Sequence, residues 1–174
     1  MNFSAPSWDL FIVLFLIIAV GYGFLMQRER IVVTMVAAYI GVVIASLFWP
    51  DVFGFFHGTQ PLLGRYFIRA DVTESQVQIA LFVGSMILVS AKAGIDAEKG
   101  RGWLSGFELF ALSALIGAMI AAVILGYLPE AARSALAEQS KLMRYLVMYH
   151  DLAILAPVAG LVALGIRNGR GRDS

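Results

Sequence analysis

The chain has 174 residues, of which 60% are hydrophobic and 14% charged, with a formal net charge of +1 and no cysteine. Soluble domains carry about 25% charged and about 45–50% apolar residues, so this composition argues against a soluble core. The near-neutral charge points away from a nucleic-acid partner, and the lack of thiols removes disulfide frameworks, thiolate metal sites and cysteine nucleophiles.

The apolar residues gather in runs of about 15 to 22 separated by short charged stretches, the pattern of a multi-pass helical membrane protein. The first predicted span covers about 8–26. Trp8 suits an interface, Ser7 and Asp9 suit a helix start, and no Lys or Arg precedes the run, so it reads as a retained span and not a signal peptide. The turn Gln27-Arg28-Glu29-Arg30 leads into a second span at 31–49. Residues 50–72 hold two prolines and several aromatics beside His57, Arg65 and Arg69, and are predicted as an interfacial loop. A third span is expected at 73–92, with Lys92 snorkelling, and a fourth at 107–128.

Beyond Pro129 the charges at Arg133, Glu138, Lys141, Arg144 and Asp151 share one side at 100° per residue, predicting an amphipathic helix over 130–149. A fifth span is expected at 145–166, and residues 167–174 as a basic, disordered tail. Within the fifth span stand His150 and Asp151. They either mark the membrane boundary, the preferred reading, or form a submerged proton- or ion-linked site. In the boundary reading only Leu152–Ile166 enters, as a tilted helix or a re-entrant hairpin bent at Pro157 and Gly160. As neighbours on a helix the pair is expected to point about 100° apart. Partners for a relay would be Lys92, Glu108 or Gln78, all near helix ends.

With five spans, one side of the membrane carries Arg28, Arg30, Lys92, Lys99, Arg101, Arg167, Arg170 and Arg172, and the other Arg65, Arg69, Arg133, Lys141 and Arg144. Eight cations against five place the N-terminus outside and the C-terminus in the cytoplasm; a re-entrant fifth segment would reverse the count.

No enzyme constellation emerges. His57 and His150 lie apart with no metal-binding spacing, and neither a P-loop, a Rossmann fingerprint nor a nucleophile elbow is present, so no catalytic residue, cofactor or metal is expected. The triplet Gly21-Tyr22-Gly23 has the letters of a potassium filter but closes an ordinary span, where packing is the better account. Small residues recur at four-residue steps: Ala37, Gly41 and Ala45; Ala80 and Gly84; Ser113, Gly117 and Ala121. Such faces let helices approach closely, either within the chain or in a homo-oligomer.

The opening SWDLFIVLFLIIAVGYGFLMQRERIVVTMVAAYIGVVIASLFW combines an aromatic-Asp start, a span, an Arg-bearing turn and a second span with small residues. With VQIALFVGSMILVSAKAGIDAEKGRGWLSGFELFALSALIG, which contains a Lys-x-Gly-aliphatic step (Lys92, Gly94, Ile95), it resembles the CvpA family, the colicin V production proteins of bacterial inner membranes, over roughly residues 7–128. Departures are Gln27, Arg28 and Glu29 where an Arg-Gly is expected, the loose match at Glu98, Lys99 and Gly102, and the long apolar stretch after Asp151. The resemblance implies an inner-membrane protein linked to colicin secretion and envelope function, and carries over no catalytic residue.

The expectation is therefore a single membrane domain over 1–174: an all-α polytopic protein of four to five transmembrane helices with an amphipathic interfacial helix. It would be non-enzymatic, with the lipid bilayer, further copies of itself or another membrane protein as partners. The rival expectations are a small oligomeric channel or proton-coupled transporter using His150 and Asp151, and a structural subunit of a membrane complex.

Overall fold

The structure is a computed structural model that describes residues 8–25, 28–57, 71–93 and 106–170. Those residues form seven helices and no strand: α1 (Trp8–Leu25), α2 (Arg28–Phe56), α3 (Glu74–Ala93), α4 (Gly106–Tyr127), α5 (Glu130–Gln139), α6 (Lys141–Met148) and α7 (His150–Arg170). Among the described residues three helices are long and apolar enough to cross a membrane: Arg30–Phe56, Glu74–Lys92 and Gly106–Tyr127. The bent pair α6–α7 makes a fourth if taken together, and Trp8–Tyr22 is a shorter apolar helix. The count is three to four, fewer than the four to five expected. The last apolar stretch is broken by the bend between α6 and α7.

The chain divides into two compact units, residues 33–96 and residues 1–32 with 97–174. In the first, α2 and α3 approach closely at Gly41. A Cβ there would lie 3.0 Å from the Phe82 carbonyl oxygen and 3.3 Å from Ser85 Oγ. Ala37, Ala38, Ala45 and Phe82 are fully buried around it. On α2, Val36, Ile40, Val43 and Leu47 recur at steps of three and four and are all exposed, an apolar stripe of the kind that faces lipid.

The helix α2 does not end where the interfacial loop was predicted to begin. It runs through Pro50 to Phe56. Proline removes only the bond to the Ser46 carbonyl, and a ladder of rings at four-residue steps bridges the gap. Trp49 and Phe53 stand 6.3 Å apart, and Phe53 and His57 4.1 Å. The His57 amide and Nδ1 both donate to the Phe53 carbonyl at 3.1 Å and close the end. The rest of the predicted loop from 58 to 70, the connection at 94–105 and the tail from 171 lie outside the described residues.

In the second unit α4 is the central helix, packed on by α1 and α7. Gly117 meets α1 so closely that a Cβ would lie 2.9 Å from Ala19 Cβ. Ile12 shares a buried cluster with Leu125 and Met143. As α1 advances from 12 to 19, its partners on α4 retreat from 125 to 117, so the two helices are antiparallel. Gly160 of α7 faces Leu115, and His150 faces Gly126, so α7 is antiparallel to α4 as well. Trp8, Tyr127 and His150 thus stand at one end of this unit.

At that end lie α5 and α6, in place of the single amphipathic helix predicted over 130–149. Ser140, extended at φ −139° and ψ 128°, separates them. A second break at Tyr149 (φ −108°, ψ 28°) turns the chain by 75° into α7. The continuous polar stripe read from the sequence therefore does not exist; its members belong to three helices. The hairpin bend at Pro157 and Gly160 is absent too. The helix α7 continues through both for 21 residues, about 31 Å, with Pro157 fully buried. Arg167 to Arg170, predicted as tail, are helical.

Candidate functional site

The chemistry of the second unit concentrates where α1 begins and α6 meets α7. Ser140 is a serine N-cap, a residue type that leaves a helix for the extended region while its hydroxyl satisfies an orphan amide. Its Oγ accepts from the Met143 amide at 3.1 Å and donates to Asp9 Oδ1 at 2.5 Å. The same carboxylate oxygen accepts from the Leu142 amide at 3.2 Å. Asp9 lies in the first turn of α1, where the sequence placed an acidic residue suited to the helix start, and it also sets its negative charge on the first turn of α6, where the helix dipole favours it.

At the elbow, His150 Nδ1 contacts Asp151 Oδ1 at 3.0 Å. The two side chains meet, contrary to the expectation of a 100° divergence. His150 is the first residue of α7, after the non-helical Tyr149, so the ring is free to turn along the backbone. Its other edge is seated on α4, with Nε2 2.6 Å from where a Gly126 Cβ would stand. Gly126 is the penultimate residue of α4, so the pair lies level with the end of that helix. The Asp151 side chain is 98% exposed and that of His150 32%. A carboxylate in this position is open to its surroundings.

Within the same unit, Glu108 of the predicted polar site is not gathered with the pair. Glu108 is buried (2% exposed) in the first turn of α4. It lies 18 residues from Gly126, about 27 Å along the helix. Lys92 closes α3 in the other unit and is exposed. Among the described residues no three His, Asp or Glu side chains stand close enough to hold a metal ion.

Beside the cap lies an open apolar groove of about 400 Å³. Ile12 and Leu16 of α1 form one wall, Leu142, Tyr145, Leu146 and Tyr149 the second, and Leu152, Ala153 and Ala156 of α7 the third. The rings of Tyr145 and Tyr149 stack, 6.5 Å apart and 11° from parallel. The sequence did not reveal the groove. Its only local signal is the 142, 145, 146, 149 spacing, which is also the spacing of a core-facing helix.

The small-residue faces divide. Ala37, Gly41 and Ala45 are buried where α2 meets α3. Gly117 is spent on α1, and Ser113, also buried, donates back to the Leu109 carbonyl at 2.7 Å; Ala121, one turn on, is half-buried. On α3 the face stays open: Ala80 is exposed, and a Cβ on Gly84 would meet nothing within 4 Å. Ile87 and Leu88 continue it, exposed.

No protein-family model, curated protein or solved structure matches this chain.

Proposed function

We propose that the chain is a non-enzymatic, multi-pass protein of the bacterial inner membrane that supports secretion or envelope maintenance by holding further copies of itself or a membrane partner. One observation carries the assembly role. Of the three small-residue faces, those of α2 and α4 are consumed by packing inside the chain, while Ala80 and Gly84 on α3 are not. Small residues at four-residue spacing are the surface that lets two helices in lipid come within van der Waals contact. The opening pattern shared with the CvpA family supports the secretion and envelope setting.

The finer topology in this proposal is five crossings, with α1 and α7 joining the three long helices. Their antiparallel registers against α4 support it, as does the 21-residue length of α7. The cation count then puts the N-terminus outside and the C-terminus in the cytoplasm. A channel or proton-coupled transporter built on His150 and Asp151 is the less favoured reading, because an exposed carboxylate at the end of α4 needs no buried relay. The chain has no cysteine, so single cysteines introduced at Ala80 or Gly84 test the assembly role in native membranes. Oxidation should link each to a second copy or a partner, whereas Val36→Cys on the lipid-facing stripe of α2 should stay monomeric. A monomer in all three would overturn it.

A further inference from the structure

We infer that the groove between α1, α6 and α7 holds one acyl chain of an anionic phospholipid, with the headgroup at Lys141; the inference rests on the membrane reading above. The groove has the direction a phospholipid requires. Its Tyr145 and Tyr149 wall lies at the level where α4 ends, and stacked tyrosines are interfacial side chains. From there Ile12 to Leu16 on α1 and Leu152 to Ala156 on α7 run the same way, inward along α4. One end is therefore at the headgroups and the other in hydrocarbon.

The headgroup end is matched in charge. Lys141 precedes the groove residue Leu142, lies one turn before Tyr145 and is exposed. Among the described residues its ammonium makes no hydrogen bond or ion pair, while its backbone amide donates to Asp9. Asp9 acts on it electrostatically, and one oxygen of that carboxylate is taken by the Ser140 hydroxyl and the Leu142 amide. Lys141 is thus a cation at the mouth of an apolar slot, able to swing onto a phosphate. Arg144 lies on the far face of α6 with Nε on the Ala137 carbonyl, so it is not the headgroup ligand.

The test is native mass spectrometry of the full chain, extracted in mild detergent and then offered equal phosphatidylglycerol and phosphatidylcholine. The wild type should retain one phospholipid and prefer phosphatidylglycerol. Ala156→Trp and Ala153→Phe fill the slot from two positions, and each should lower retention about tenfold, equivalent to roughly two methylenes left unburied. Val162→Trp, on a lipid-facing position of α7 outside the groove, should retain lipid as the wild type does. Lys141→Gln should keep the lipid and lose the preference. Helical content by circular dichroism identifies a variant that has not folded, and the other filling variant then decides. Lipid absent from the wild type, equal retention in filled and control variants, or a dimer that separates when the slot is filled would each overturn the inference. Failure of the membrane reading looks different: the chain would then be monodisperse in buffer without any amphiphile.

Discussion

Asp9 and Ser140 stand 131 residues apart in the chain and 2.5 Å apart in space, where one carboxylate oxygen completes the start of a helix to which it does not belong. The contact fixes the first turn of α1 to the first turn of α6, so both the groove wall and the elbow depend on it. Ser140→Ala removes the cap hydroxyl at a buried position and should cost about 0.5–2 kcal/mol, read as a lower midpoint of thermal unfolding in detergent. Asp9→Ala should act in the same direction. The double variant should cost less than the two single variants added together, because both remove one network. Strict additivity would show that the contact is not made.

Glycines on the helix faces should respond according to what lies above them. Gly117→Ala sets a methyl 2.9 Å from Ala19 Cβ, which is fixed to its backbone, so α1 and α4 must separate. A loss of about 1–3 kcal/mol is expected. Gly160→Ala meets only the end of the Leu115 side chain, and Gly21→Ala meets nothing, so both should leave the unfolding midpoint near that of the wild type. Equal losses at all three would contradict the packing described.

The exposed carboxylate at the elbow leads to a transport prediction. Asp151→Asn should change stability by no more than about 0.5 kcal/mol, as for surface substitutions generally. Reconstituted liposomes should show no pH-dependent flux that this substitution abolishes. A flux lost with Asp151→Asn would restore the rival in which His150 and Asp151 are the working groups.

Antiparallel packing of α7 on α4 gives a prediction about sides. A cysteine at Ala131, just after α4, and one at Ser174 should react with a membrane-impermeant maleimide from opposite faces of oriented vesicles. Reaction from the same face would mean that α7 turns back before crossing.

The helices legible in the sequence were the long uninterrupted apolar ones. The third and fourth spans, expected at 73–92 and 107–128, compare with α3 at Glu74–Ala93 and α4 at Gly106–Tyr127. A span requires only an uninterrupted apolar run of the right length, and that is a local property. The break at Ser140 was not legible, because its decisive partner is Asp9 and nothing near Ser140 names it. Continuation through Pro50 did leave a signal, the four-residue spacing of Trp49, Phe53 and His57, which proline and the neighbouring glycines outweighed in a local reading. The seating of His150 on Gly126 is a contact between distant segments; periodicity carries no trace of it.

The partners of α1 have a consequence for biogenesis. Gly117, Leu125, Ser140 and Met143, on which it packs, are all translated about a hundred residues or more after Ile12. The helix α1 therefore waits for these partners until the chain has been made as far as Met143. Non-local closure of this kind is slow and leaves the waiting segment exposed to degradation. Truncation anywhere before Met143 should produce a nascent chain that quality-control proteases remove, whatever the integrity of its earlier helices.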